Sequence, residues 1–151
     1  MQPDIEPITI LLADDDEEDR MLTAEALEEA RLANEIKTVE DGEELMDYLH
    51  RRGRYSDPEL SPRPGLILLD LNMPKKDGRQ ALKEIKEVSE LRSIPVVVLT
   101  TSKTEEDILK TYDLGVNSFI TKPVSFNGMI DIMKALALYW FEIVRLPKSK
   151  C

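Results

Sequence analysis

Short, unbroken apolar runs alternate along the chain with longer segments whose apolar residues recur at helical spacing. The clearest run is Leu66-Ile67-Leu68-Leu69, which leads straight into Asp70 and then a turn through Pro74 and Asp77-Gly78. Bounded by turn residues, it predicts a strand buried on both faces, as in a parallel sheet. Residues 8–13 and 95–100 have the same character, 34–39 is sparser in apolar residues, and 118–121 is a last short strand. The intervening segments predict helices. One runs over 17–31, with Met21, Leu22, Ala26, Leu27 and Ala30 recurring at helical spacing and Asp16 as its cap. A second opens at Asp41-Gly42, continues through Leu45, Met46, Tyr48 and Leu49, and ends before Gly53. A third covers 79–88, with Ala81, Leu82 and Ile85 inward. A fourth, at 108–114, follows the capping-box-like Thr104-Glu105-Glu106-Asp107 and stops at Gly115. The last runs from 125 to 146, where Pro147 ends it. Residues 53–65, with Pro58, Pro62, Pro64 and Gly65, read as a long loop carrying little core. Strands alternating with helices five times over imply βαβ units, right-handed crossovers and a doubly wound α/β fold.

Composition narrows the picture. At 151 residues the chain suits one domain with a sizeable core, and 33% charged against 42% apolar residues fits a soluble globular protein. A net charge of −10 disfavours a nucleic-acid surface, since phosphate binding draws on clustered Lys and Arg. No apolar run approaches the roughly 20 residues needed to span a bilayer, and Met1-Gln2-Pro3-Asp4 lacks the basic start of a signal peptide. Cys151 is the sole cysteine, so no internal disulfide forms and a cytoplasmic setting is expected. His50, beside Arg51 and Arg52, reads as a solvated basic helix end that supports the helix C-terminus rather than as a phosphohistidine.

The chemistry lies where the strands end. In a doubly wound sheet the C-terminal strand ends share one edge, the edge at which ligands bind. Asp14 and Asp15 end the first strand, Asp70 the third, Thr100 the fourth and Lys122 the fifth. Taken singly, Asp70 reads as a turn carboxylate, Asp14 to Asp16 as a helix cap, Thr100 as a strand-end hydroxyl and Lys122 as a surface lysine. Taken together, three carboxylates on adjacent strand ends repel unless a cation sits among them, and all-oxygen ligands select Mg2+ or a similar hard ion. A carboxylate beside such an ion, a hydroxyl and an ammonium group has the parts for phosphoryl transfer, with Asp70 as nucleophile.

These residues resemble the receiver domain of two-component response regulators. The matching pieces are Asp14-Asp15, Asp70, Thr100 and Lys122-Pro123 at the strand ends, with Met73-Pro74 and Asp77-Gly78 in the loop after Asp70. The resemblance implies a flavodoxin-like five-stranded parallel sheet in the order 2-1-3-4-5, with the receiver domain over 1–146 and a tail over 147–151. It implies Asp70 as phosphoacceptor, Mg2+ held by Asp14, Asp15, Asp70 and the backbone carbonyl of Asn72, and Lys122 pairing with the phosphoryl group. Thr100 would swing toward that group, coupled to an aromatic switch position at Phe119, where many members have Tyr. A narrower resemblance is to the single-domain regulators that pair with phytochrome-type sensor histidine kinases. It rests on the extended 51–65 loop, the stretch 71–79, Leu99-Thr100-Thr101-Ser102 and the Tyr139-Trp140-Phe141 end.

From Ala135 onward the last predicted helix is apolar nearly all round, which leaves aromatic surface for an interaction. A homodimer built partly on Tyr139, Trp140, Phe141 and Val144 is expected, as members of that narrower group form dimers through the same region. With no room for an output domain after Leu146, the signal is expected to pass through protein contacts, and the only catalysis expected is of the protein's own phosphorylation and dephosphorylation. Two other readings stay open: a degenerate receiver acting as a scaffold, and an aspartate-nucleophile phosphatase of the haloacid dehalogenase type. The latter needs a second carboxylate two residues after the nucleophile, where this chain has Asn72. A nucleotide-binding flavodoxin-like protein is disfavoured, because no Gly-rich phosphate loop follows the first strand.

Overall fold

The computed structural model describes residues 9–29, 35–101, 104, 108, 110, 112–116 and 118–136. Five parallel strands form one sheet in the order β2-β1-β3-β4-β5, as expected: β1 (Thr9–Ala13), β2 (Glu35–Val39), β3 (Leu66–Leu69), β4 (Val96–Thr100) and β5 (Ser118–Thr121). The helices are α1 (Glu17–Glu29), α2 (Gly42–His50), α3 (Gly78–Glu87) and α4 (Phe126–Leu136), with a short 3-10 turn at Gly53–Tyr55. Ile108, Lys110, Tyr112 and Asp113 are also helical, and Gly115, at φ 95°, follows them. The proposed dimer residues Tyr139, Trp140, Phe141 and Val144 lie outside the described residues.

Strand pleating divides the core into two layers. Leu11, Ala13, Ile67, Leu69, Val96 and Val98 face α2 and α3, where Leu45, Met46, Leu49, Ala81, Leu82 and Ile85 meet them. Ile10, Leu12, Leu66, Leu68, Val97 and Leu99 face α1 and α4, packing on Ala26, Leu27, Met129, Met133 and Leu136. Every residue of β3 and β4 is buried because helices cover both faces, which is why those strands are continuous apolar runs. Truncating one of these central residues, such as Leu68 to Ala, should cost about 2–5 kcal/mol.

One expectation needs correction. Met21 does not face the core; it is 57% exposed, and Thr23, Ala26 and Leu27 form the buried stripe of α1. Residues 53–65 carry little core, as expected, with only Tyr55 packed against it, and the segment is tied down by polar bonds. The Tyr48 hydroxyl donates to the Pro62 carbonyl (2.8 Å), and Arg63 Nη1 donates to the Leu49 carbonyl (2.8 Å). Buried Ser61 donates to the Tyr55 carbonyl (2.7 Å), and the Tyr55 ring packs on Tyr48 with centroids 5.2 Å apart. The sequence-read cap holds, as Asp16 accepts from the Asp19 N–H (3.1 Å), and Asp41 at the start of α2 likewise accepts from the Glu44 N–H (2.7 Å).

Candidate phosphoacceptor site

The sheet ladder continues one residue past several strands and so fixes where the functional side chains leave the backbone. The Asp14 N–H donates to the Val39 carbonyl (3.1 Å), the Asp70 N–H to the Ala13 carbonyl (2.9 Å) and the Lys122 N–H to the Thr100 carbonyl (2.8 Å). Asp14 and Asp70 flank the point where the strand order reverses, between β1 and β3. Connections leave that point toward opposite faces of the sheet, opening a crevice at the carboxyl edge.

All the strand-end residues singled out in the sequence converge there. Carboxylate oxygens of Asp14, Asp15 and Asp70 lie within 4.8 Å of one another, with Asp14 and Asp70 buried and Asp15 exposed. The Asp70 carboxylate is held on both sides. Its Oδ1 accepts from Thr100 Oγ1 (2.8 Å) and from the Asn72 N–H (3.1 Å), and its Oδ2 accepts from Lys122 Nζ (3.0 Å). Thr100 is fully buried, already turned onto the carboxylate. Asp14 Oδ1 accepts from the Asp16 N–H (3.0 Å) and its Oδ2 from Lys122 Nζ (2.6 Å). Phe119, on β5, packs half-buried against the layer beneath α2 and α3.

The electrostatics are dominated by crowded negative charge. Burial pushes the Asp14 carboxyl above its ordinary value, against the lowering effect of its bonds from Lys122 and the Asp16 N–H. For Lys122 burial acts to lower the ammonium, but bonds to Asp14 and Asp19 and the charges of Asp70 and Asp14 outweigh it and hold it above its ordinary value. An all-oxygen donor set with converging carboxylates fits a hard divalent cation, so Asp14, Asp15 and Asp70 could hold Mg2+.

Two residues of the site were not anticipated. Asp19 Oδ2 accepts a third bond from Lys122 Nζ (2.9 Å), and Arg20 Nη1 donates to the Asp14 carbonyl (2.8 Å). In the sequence Asp19 is one of three acidic residues in a helix first turn, fully accounted for by the helix dipole. The signal that could have found it is that α1 begins three residues after Asp14, so its first turn must border the same crevice.

A doubly wound sheet with an acidic triad, a buried hydroxyl and a lysine at its carboxyl edge defines a receiver-type phosphoacceptor module. The response regulator receiver domain family matches residues 10–134, and the chain belongs to that family. It is similar to the response regulator Rcp1 of Synechocystis sp., with 43% identity over 95% of each chain. The crystal structure of the phosphorylated cyanobacterial phytochrome response regulator RcpA superposes with a TM-score of 0.88 at 44% identity, covering 95% of this chain and 100% of that one. The Mn2+-bound form of Rcp1 gives 0.85 at 43% identity, covering 94% and 100%.

Proposed function

We propose that the chain is a phosphorylation switch in which Asp70 accepts a phosphoryl group from the phosphohistidine of a sensor histidine kinase. The observation that carries this is the Asp70 carboxylate itself, held between Thr100, the Asn72 N–H and Lys122, with Asp14 and Asp15 converging on it. An Asp70 oxygen attacks phosphorus as the P–N bond to the donor imidazole breaks, and the imidazole leaves with a proton. Asp14, Asp15, Asp70 and the Asn72 carbonyl would hold Mg2+, which would supply positive charge against the phosphoryl oxygens. Lys122 and Thr100 exchange their bonds to the free carboxylate for bonds to phosphoryl oxygens, so the residues that hold the resting site also read the charged one. From Thr100, Phe119 carries the change toward the surface of the last two helices as a shift between two populations. Lacking a hydroxyl, it does so by packing alone.

The receiver unit spans 1–146 with 147–151 as a tail, works in the cytoplasm, and catalyses nothing beyond its own phosphorylation and dephosphorylation. A phytochrome-type kinase is the partner best supported, because RcpA, similar over nearly the full chain, is a phytochrome response regulator. Homodimerisation through Tyr139, Trp140, Phe141 and Val144 follows from the apolar run that carries them. No nucleic-acid or membrane partner is invoked at a net charge of −10. Intact mass after incubation with Mg2+ and a small acyl-phosphate donor tests the central reading. Wild type should gain one phosphoryl group, about 80 Da, and Asp70→Asn should not. Equal gain in both would move the acceptor elsewhere, and no gain with any donor or with the kinase would favour the scaffold reading. Sedimentation of both forms tests the dimer, which a monomer at every concentration would rule out.

A further inference from the structure

Lys122 Nζ carries three protons, and each meets a different carboxylate: Asp14 at 2.6 Å, Asp19 at 2.9 Å and Asp70 at 3.0 Å. Asp14 and Asp70 belong to the converging carboxylate set; Asp19 does not. Asp19 stands instead on the first turn of α1, 37% exposed, with its own N–H tied to Asp16. A cation entering the set competes with the ammonium for Asp14 and Asp70, so of the three acceptors only Asp19 can keep its bond throughout.

We propose that Asp19 is a positioning residue that anchors the Lys122 ammonium beside the site, so that it yields Asp14 to the metal yet stays within reach of a phosphoryl group on Asp70. This rests on the phosphoacceptor reading and assigns a residue to its loading step. Without the anchor the ammonium settles on Asp14 and Asp70 alone, and the metal must displace it from both. The side chain that helps catalysis then becomes a competitor for the metal. Asp19 thus acts through Lys122 and touches neither metal nor phosphorus.

Calorimetric titration of Mg2+ into the full chain tests this without any turnover readout. Glu18→Gln removes the same charge from the neighbouring exposed position and measures the long-range electrostatic effect, expected to be about twofold or less at physiological salt. Asp19→Asn should weaken Mg2+ binding roughly tenfold, the scale of one charge-assisted hydrogen bond, and Asp19→Glu should recover part of the loss. In a Lys122→Met background, Asp19→Asn should do no more than Glu18→Gln. The assignment is overturned if Asp19→Asn and Glu18→Gln match in the native background, or if the Asp19→Asn loss persists without Lys122. A folded wild type that neither binds Mg2+ nor takes up a phosphoryl group would instead remove the phosphoacceptor reading, and this one with it. If wild type does both, only the role of Asp19 is at stake.

Discussion

Gly42→Ala gives a test in which two physical effects predict opposite signs. Gly42 is the first residue of α2 and is buried. A Cβ placed there falls 2.0 Å from the Lys76 carbonyl oxygen and 2.6 Å from the Lys76 carbonyl carbon. Those are backbone atoms, so no side-chain rotation relieves the overlap. The loop that must give way is itself held. The Lys76 N–H donates to the Pro74 carbonyl (2.7 Å), the Gly78 N–H to the Leu71 carbonyl (2.9 Å), and the Lys75 ammonium lies 3.6 Å from Asp41. Alanine in place of glycine would favour the helix by at most about 1 kcal/mol, whereas overpacking a filled interior costs about 1–3 kcal/mol or more. The net expectation is a loss of about 1–2 kcal/mol, read as a lower urea midpoint at unchanged slope. Because Asn72 rides on the displaced loop, Mg2+ affinity should fall as well. A Gly42→Ala protein as stable as wild type, or more so, with unchanged Mg2+ binding would show that the Lys76 loop yields freely and that the contact is not a constraint on the site.

Thr100→Val removes the hydroxyl that donates to Asp70 Oδ1 while keeping the side-chain shape; a loss of about 1.5–3 kcal/mol is expected in urea unfolding, and a neutral result would mean the Asn72 N–H alone suffices. Lys122→Met leaves Asp14 and Asp70 buried against each other, so the metal-free protein should lose about 3 kcal/mol and recover much of it in Mg2+; midpoints that do not respond differently to Mg2+ would refute this. Burial raises the Tyr48 phenol, and burial with the bond to Glu44 pushes Tyr55 up to about 12. The folded state therefore holds its phenol protons above pH 10 while the unfolded chain releases them, so stability falls as pH rises from about 10 through 12. Ultraviolet titration should show late tyrosinate formation, and Tyr55→Phe should flatten part of that pH dependence.

Local chemistry made much of this protein legible in its sequence. Strands buried on both faces must be uninterrupted apolar runs, so 66–69 and the valines of β4 announce themselves, and Asp16 and Asp41 cap helices through bonds only three residues long. Parallel topology then forces Asp14, Asp70, Thr100 and Lys122 to one edge, because every strand ends on the same side of the sheet. Tertiary structure alone decided the rest. Whether α1 turns Met21 or Thr23 inward depends on how it seats against the sheet and α4, which helical periodicity leaves free by a residue or so. The 53–65 segment is fixed by bonds such as Tyr48 to Pro62 and Arg63 to Leu49, whose partners lie 14 residues apart and match no local pattern. Asp19 meets Lys122 across 103 positions of chain, and a helix-dipole carboxylate becomes a lysine anchor only once β5 is laid beside β4 and its end is carried to α1.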